Sequence, residues 1–455
     1  MSRHLDLNVA LVDKYLKTYD YPSLANYLNI SFKLEKGSDG IPLQFDFSDT
    51  VLNSLHKILL QIINEEISEN HQNILKELFR SLRNYVINID VQKYLSNDSF
   101  LNNVKIICES SLVTNDILQV VLQFLINLVV SNEIAAKKVY AVFQNQIFGS
   151  LKQNVNTYEN SALLYNISLH HAIELDFDMY VCILQLYDNR NNIEFLHFLI
   201  EKFITYDNFW TNYKKIDLHR RLVVLGVIRE KQIKGEKLDL CDYALQTLSN
   251  SFINSASIIF QTVSSNENDL EPYEVSELLQ VISSLSSDDS YLKKLQNDKD
   301  LLINVGVVLI NIHKLGKDTE NYFSSIQSLS EVRQPTQQMS KHPAFGFKAD
   351  LIRIIGNLCW KNRTMQDLVR EAELIPVVLE CCNMDARNPF IMQWGILAVR
   401  NLCENNLENQ KIIAGLHQEG TVSSTVLEEM GLTLHSSGDE NGVKIVPLDA
   451  LRNHR

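Results

Sequence analysis

Apolar residues recur at three- and four-residue steps along much of the chain, a period that predicts amphipathic helices. Between Pro389 and Glu404 one face is formed by Phe390, Trp394, Leu397, Ala398, Asn401 and Leu402. A helix beginning at Ile375-Pro376 precedes this segment, and a short helix from Gln410 to Ala414 follows it. The sequence therefore predicts the three-helix order of an armadillo unit.

A short motif recurs 44 residues further along the chain, and we call this recurrence the 44-residue echo. Gly356-Asn357-Leu358-Cys359 is followed by Asn362 and Gln366, and Arg400-Asn401-Leu402-Cys403 is followed by Asn406 and Gln410. A period of this size is typical of armadillo and HEAT arrays, in which each unit buries its apolar face against its neighbours. We therefore expect an all-α, armadillo/HEAT-like α-solenoid with repeats of about 40–46 residues.

The signature apolar-x-Asn occurs in further apolar segments. Its copies end at Asn84, Asn127, Asn166, Asn311, Asn357 and Asn401, at spacings of 43, 39, 145, 46 and 44 residues. The long interval is close to three further units that lack the Asn. Because so short a motif also occurs by chance, the two C-terminal copies carry most of the weight.

Composition agrees with a helical array. Gly is 15 and Pro is 8 of 455 residues, both well below average usage, so turns and strand breakers are few. The net charge of −13 argues against general binding to nucleic acid or to anionic membranes, which depends on clustered Lys and Arg. The most apolar stretches, 118–130 and 301–312, fall short of the roughly 20 residues that a membrane span needs.

The seven cysteines and the polar N-terminus indicate a cytosolic or nuclear protein with reduced, mostly buried thiols. Cys381-Cys382 lacks the spacing of zinc ligands, and Cys359 and Cys403 occupy equivalent repeat positions, so core packing is favoured over a metal site. Phosphate-binding loops and hydrolase or kinase signatures are absent from the sequence. We therefore expect no cofactor, no metal and no catalytic residues.

Breaks in the pattern suggest five segments. They are N-terminal armadillo-like repeats over 1–205, divergent helical repeats over 206–315, an exposed linker or loop over 316–343, C-terminal repeats over 344–417 and a tail over 418–455. In the tail, 431–434 and 443–446 can pair as a small hairpin across the turn at 438–442.

The segment 342–416 resembles the C-terminal signature of the ataxin-10 family. The residues that carry this resemblance are His342-Pro343-Ala344-Phe345-Gly346-Phe347-Lys348, Leu351 to Cys359, Gln366-Asp367, Ile375-Pro376, Cys382 to Asp385, Asn388-Pro389-Phe390 and Arg400-Asn401-Leu402. The resemblance implies a cytoplasmic, non-enzymatic armadillo-like scaffold with roles in signalling, neurite outgrowth, neuronal survival and cytokinesis. It also implies self-association, so the expected partners are other proteins and further copies of the chain.

The Asn positions suggest a partner groove. In some armadillo proteins an Asn on each inner helix hydrogen-bonds an extended peptide, and a Trp one turn earlier holds the peptide's side chains. Here the residues four positions before each Asn are Arg80, Gln123, Ala162, Val307, Arg353 and Leu397. None is Trp. The competing interpretation, which we favour, is that the Asn side chains cap or bridge neighbouring helices.

The candidate groove residues are Asn84, Asn127, Asn166, Arg353, Asn357, Arg400 and Asn401. Three functions compete for this surface. The first is a scaffold whose groove binds other proteins through a few strong contacts. The second is an armadillo-type transport adaptor that binds basic cargo peptides, supported by the acidic charge and opposed by the missing Trp column. The third is an enzyme whose acid and base converge from distant repeats, which an open groove disfavours.

Overall fold

The computed structural model describes residues 2–3, 7–33, 44–65, 67–189, 192–263, 269–327, 336–416, 428, 431–436 and 443–447. The chain divides into two compact units, Met1–Phe203 and Ile204–Arg455. The described residues are overwhelmingly helical, and the helices of each unit stack in successive layers. The expected all-α solenoid class is confirmed, while the repeat length stays a prediction.

Unit 1 contains eleven described helices and one short parallel pair of strands. The helices are α1 Val9–Lys17, α2 Tyr21–Ser31, α3 Asp49–Asn64, α4 Gln72–Tyr85, α5 Ile89–Leu95, α6 Asp98–Glu109, α7 Asn115–Val129, α8 Glu133–Lys152, α9 Thr157–Ser168, α10 Phe177–Asn189 and α11 Glu194–Phe203, and the strands are β1 Ser2–Arg3 and β2 Gln44–Phe45. Helices α2, α4, α7, α9 and α11 contact one another in succession, and α3, α6, α8 and α10 form a second succession.

Unit 2 repeats this layered arrangement. Its helices are α12 Asp207–Asn212, α13 Leu218–Lys234, α14 Asp242–Ser255, α15 Glu271–Leu285, α16 Asp289–Leu295, α17 Lys299–Asp318, α18 Gln337–Lys341, α19 Phe347–Leu358, α20 Arg363–Glu371, α21 Leu374–Glu380, α22 Ile391–Cys403 and α23 Leu407–Ala414. Helices α13, α15, α19 and α22 contact in succession, as do α12, α14, α17 and α21. Among the described helices, α22 is the final member of its layer.

Polar residues at helix starts explain many of the boundaries. The side chains of Asn97, Asn132, Asp217, Asn362 and Asn406 each accept a hydrogen bond from a backbone N–H in the first turn of the helix that follows. Each such cap satisfies a donor that has no partner within the helix and stabilises the fold by about 1 kcal/mol. Asn362 and Asn406 are equivalent positions of the 44-residue echo, so part of that echo encodes helix starts.

A glycine lies at the contact between α19 and α22. A Cβ at Gly356 would lie 3.0 Å from the Cα of Ala398 and 3.1 Å from its Cβ, which brings the backbones of α19 and α22 together. The equivalent echo position on α22, Arg400, is exposed. The two four-residue motifs differ only at this position. Gly356 lies on α19, which has described helices of its layer on both sides, and Arg400 lies on α22, the last described helix of that layer.

The segment 316–343 is partly packed against unit 2. Helix α17 continues to Asp318, and Phe323 is buried. Ile326 donates its backbone N–H to Asp385 at 3.0 Å, and its carbonyl accepts from the N–H of Ala386 at 2.8 Å. The described part of the expected linker is thus held beside the loop before α22, and residues 328–335 lie outside the described residues.

The predicted tail hairpin is confirmed. Strands β3 Leu432–Ser436 and β4 Val443–Pro447 pair in antiparallel fashion, with Leu434 opposite Ile445. The expected turn at 438–442 lies outside the described residues. The rest of the predicted tail is described at 428 alone.

Candidate functional site

In both units, the Asn side chain of the signature makes an equivalent hydrogen bond to the preceding helix of the same layer. In unit 1 the Nδ2 of Asn127 on α7 donates to the carbonyl oxygen of Arg83 on α4 at 3.1 Å. In unit 2 the Nδ2 of Asn401 on α22 donates to the carbonyl oxygen of Gly356 on α19 at 2.9 Å. Each acceptor immediately precedes the Asn of the neighbouring signature, so the two bonds are equivalent. They span 44 and 45 residues.

Two further Asn side chains make related contacts. Asn84 donates to the carbonyl oxygen of Phe32, directly after the end of α2, at 3.0 Å. Asn357 donates to the hydroxyl oxygens of Ser286 and Ser287, directly after α15, at 2.9 Å each. Because carbonyls at a helix C-terminus lack partners within the helix, such amides stabilise the ends of neighbouring helices. These bonds span 52 to 71 residues, so no single repeat length describes all four.

A second series of amides was not recognised from the sequence. Gln92 donates to the carbonyl oxygens of Asn127 and Val130 at 3.0 and 3.3 Å, and Gln366 donates to those of Asn401 and Glu404 at 2.8 and 3.2 Å. Each buried Gln therefore reaches the end of the helix that carries the Asn. The recurrence of Gln366 at Gln410 was the signal available in the sequence, but its role required knowing which carbonyl lies opposite.

The copy of the signature at Asn311 does not belong to this series. Its side chain is exposed and donates to the carbonyl oxygen of Val307 within its own helix α17 at 2.8 Å. Helix α17 lies in the other layer of unit 2. The spacing of 46 residues to Asn357 is therefore coincidental, and this expectation from the tripeptide was wrong.

The other candidate residues have side chains with different surroundings. Asn166 on α9 is half-buried, and its side chain makes no hydrogen bond to any described residue. Arg400 is exposed on α22 and makes no ion pair within the part of the chain that the structure describes. Within the part of the chain that the structure describes, neither side chain therefore uses its hydrogen-bonding groups.

Arg353 joins α19 to both of its neighbours. Its guanidinium donates to the hydroxyl oxygen of Ser287 at 3.0 and 2.8 Å and lies 4.6 Å from the ring centroid of Trp394. Burial lowers the pKa of Arg353, although the nearby carboxylate of Asp350 opposes that effect. Burial raises the pKa of Asp350 to about 6, while the hydroxyl of Ser283 donates to it at 2.8 Å.

Trp394, which the helical period places on the apolar face of this segment, is only half-buried. Phe390 was predicted on the inner face of the same helix but is 69% exposed and caps α22 with a left-handed backbone. On α22 the exposed positions are Met392, Gln393, Ile396 and Arg400. Among the described residues, the outer face of this helix thus combines two apolar side chains with a guanidinium that has no ion-pair partner.

Asn84 lines a polar groove in unit 1. The groove has a volume of about 500 Å³ and lies between α2, α4 and α7. Its charged lining residues are Lys33, Lys76, Glu77, Arg80, Arg83 and Asp116. This grouping was not predicted, because its members come from three helices that are far apart in the sequence.

The thiols are free, and their surroundings disfavour the reactive form. Cys359 and Cys381 are buried and the other five are half-buried, so the expectation of mostly buried thiols holds for two of them. Burial raises the pKa of Cys108 to about 12 and that of Cys381 to about 11, which disfavours the nucleophilic thiolate.

Within the described ranges, no group of three or more His, Cys, Asp or Glu residues is arranged to hold a metal ion. No helix there is long and apolar enough to cross a membrane.

Comparison with known proteins bears on the C-terminal surface. The family model described as "Spinocerebellar ataxia type 10 protein domain" matches residues 347–445, which include α19, α22, strand β3 and the first part of β4. Over this segment the chain is similar to the ataxin-10 family. Ataxin-10 of Xenopus tropicalis is 34% identical over 212 residues, which are 46% of this chain and 43% of that protein. Ataxin-10 of Bos taurus is 32% identical over 234 residues, 50% of this chain and 48% of that protein.

A shorter match shows similarity to the same family. The ataxin-10 homolog of Dictyostelium discoideum is 42% identical over 113 residues, 24% of this chain and 18% of that protein. The matched stretches span less than half the length of these relatives. An engineered protein of solved structure aligns with 87% of this chain at 11% identity and a TM-score of 0.35, a likeness too low to bear on the fold.

Proposed function

We propose that this protein, like the ataxin-10 family that its C-terminal segment resembles, is a non-enzymatic protein-interaction scaffold, and that the outer face of α22 is a principal binding surface. The observation that carries the proposal is the composition of that face. Ile396 is 60% exposed beside Met392, and Arg400 is unpaired among the described residues. Exposed apolar side chains with an Arg are typical of interface hot spots.

The position of α22 in its layer also supports the proposal. A stacked helical array buries each apolar face against the next unit, and terminal units need a polar outer face to remain unassociated. Helix α22 ends the described layer with Met392 and Ile396 facing outward. A protein partner, or a second copy of the chain, would cover this face.

The hydrogen bonds separate the candidate groove residues into those that stabilise the helix stack and those that are available to a partner. Asn84, Asn127, Asn357 and Asn401 use their amide donors on neighbouring helices. We therefore assign these four to stabilising the stack and assign partner contact to Arg400 and Asn166. Arg353 has both roles, because its guanidinium joins helices while remaining partly exposed.

The roles implied by the family resemblance are proposed on that resemblance alone. They are signalling, neurite outgrowth, neuronal survival and cytokinesis, in the cytoplasm. The alternative of a transport adaptor for basic cargo peptides receives less support. Arg80 and Arg353 stand one turn before Asn84 and Asn357, where a Trp would hold cargo side chains, and their positive charge would repel a basic peptide.

A crosslinking capture experiment tests the proposal. The full chain is compared with Arg400→Glu and with Ile396→Asp. The matched control is Lys293→Glu, which makes the same charge change at an exposed position on α16. Circular dichroism establishes that all four proteins are folded, and sedimentation measures self-association.

We expect a partner, or a second copy of the chain, to be captured by wild type and by Lys293→Glu and lost from the two α22 variants. Identical captures by all four folded proteins would contradict the assignment of this face.

A further inference from the structure

The groove between α2, α4 and α7 carries an excess of positive charge. Its lining includes the cations Lys33, Lys76, Arg80 and Arg83 and the acids Glu77 and Asp116. The chain as a whole carries a net charge of −13. A locally basic groove on an acidic protein focuses its potential on anionic ligands, because the surrounding surface repels them elsewhere.

Two of the cations are already paired with the acids of the groove. Arg80 donates to Glu77 at 2.6 Å, and the ammonium of Lys76 lies 3.5 Å from a carboxylate oxygen of Asp116. Asp116 is largely exposed, with 79% of its side-chain surface accessible. The Lys76–Asp116 pair is therefore weak and can yield to a better anion.

Arg83 has neutral partners instead. Its guanidinium donates to the side-chain oxygen of Gln123 at 2.6 Å and to that of Asn84 at 3.4 Å. It makes no ion pair with a carboxylate in the part of the chain that the structure describes. Burial lowers the pKa of Arg83, and the positive charge of Arg80 lowers it further, whereas the carboxylate of Glu77 raises it. A half-buried cation of this kind is stabilised by an added anion.

We propose that this groove binds an acidic peptide segment, with a carboxylate of the ligand held by Arg83 and Arg80. The proposal adds a second surface to the proposed scaffold and rests on that function only in taking the ligand to be a protein. Planar guanidinium groups hold carboxylates through paired N–H donors, which gives both affinity and orientation.

The remaining lining favours a peptide over a polyanion. Asn29, Gln119 and Gln123 line the groove. Side-chain amides can pair with a peptide backbone, although Gln119 already donates to Glu159 and Gln123 already accepts from Arg83. Glu77 and Asp116 would repel a continuous row of phosphates. The net charge of −13 likewise opposes a long nucleic acid or an anionic membrane surface.

A fluorescence anisotropy titration of the full chain tests the proposal. The probe is a short labelled peptide of alternating Glu and Ser, and its control carries Gln in place of Glu. The loss variant is Arg80→Gln/Arg83→Gln. The matched control is Lys93→Gln/Lys137→Gln, which removes the same charge from exposed positions of unit 1 outside the groove. Glu77→Gln is a gain variant, whose effect cannot come from unfolding.

We expect wild type to prefer the Glu peptide and to bind it more weakly as salt increases. The loss variant should bind about tenfold more weakly and the matched control within about twofold of wild type, while Glu77→Gln binds more tightly. Arg400→Glu should leave this titration unchanged, so its outcome is independent of the capture experiment on α22.

Several results would overturn the proposal. They are equal binding of the Glu and Gln peptides, an equal loss in the two double variants, and weaker binding by Glu77→Gln. Tighter binding of a single-stranded oligonucleotide or of anionic vesicles than of the Glu peptide would overturn the choice of ligand.

Discussion

The Nδ2 of Asn401 donates to the carbonyl oxygen of Gly356 at 2.9 Å and thereby joins two successive helices of one layer. The same relationship joins Asn127 to Arg83 in the other unit. Both Asn401 and the acceptor carbonyl lie in the buried contact between α19 and α22. The Asn residues of the signature therefore indicate mainly how the helices stack, and only secondarily what the protein binds.

Removal of the amide should destabilise unit 2. Asn401→Ala leaves the carbonyl of Gly356 without its partner, which costs about 1–3 kcal/mol in the free energy of unfolding. Asn311→Ala is the control, because this Asn carries the same tripeptide signature but is exposed and bonded within its own helix. We expect a change within about 0.5 kcal/mol there. Urea unfolding followed by tryptophan fluorescence measures both, since all three tryptophans lie in unit 2. Equal costs would refute the bridging role.

A methyl group at the α19–α22 contact should also be destabilising. In Gly356→Ala the added carbon meets the backbone of Ala398 at 3.0 Å, so we expect a loss of about 1–3 kcal/mol. Gly226→Ala on α13 is the opposite case, because an added Cβ meets nothing within 4 Å. There the higher helix propensity of Ala should stabilise unit 2 by up to about 1 kcal/mol. Changes of the same sign in the two midpoints of urea unfolding would contradict the packing described here.

Trp394→Ala should cost less than truncation of a fully buried Trp. The ring is half-buried and lies beneath the guanidinium of Arg353, so we expect about 1–2 kcal/mol from partial burial and the lost cation–π contact. Trp210→Ala should cost about 3–5 kcal/mol, because Trp210 is buried and donates from its Nε1 to the carbonyl oxygen of Ile204 at 2.7 Å. Urea unfolding monitored by circular dichroism compares the two. A larger loss for Trp394→Ala would show that its ring is in the core.

Asp350 should make stability fall as pH rises from about 4 to about 6. Burial raises its pKa to about 6 in the folded chain, above the ordinary value of 3.8. Across that interval the folded state binds more protons than the unfolded state, so folding is favoured at the lower pH. Asp350→Asn removes this titration, and wild type should lose stability relative to the variant over that interval. Urea unfolding of both proteins at a series of pH values tests this, and a constant difference would contradict it.

The hydrophobic period and the echo were enough to predict the fold class, and the alternating tail residues were enough to predict the pairing of β3 with β4. They could not assign the Asn residues, because the partner of each amide is a carbonyl on another helix. Asn311 shows the limit most clearly. Its tripeptide matches that of Asn401, yet α17 lies in the other layer, and layer membership depends on connections that a short motif does not encode.

The candidate surfaces depended even more on tertiary structure. Phe390 fits the helical period of its segment, but the backbone takes a left-handed turn at this residue and leaves the ring exposed. The basic groove brings together side chains from α2, α4 and α7 and was invisible as a sequence pattern. Arg80 was noted only as a residue that replaces a Trp.

Hydrogen exchange of the full chain, with and without the protein captured by wild type, tests the central claim most directly. If the captured protein is a second copy of the chain, exchange is instead compared between a low and a high concentration of the chain. The account predicts slower exchange over α22, from Ile391 to Cys403, and unchanged exchange over α16. Protection confined to other helices, with α22 unaffected, would contradict the assignment of this face as the binding surface.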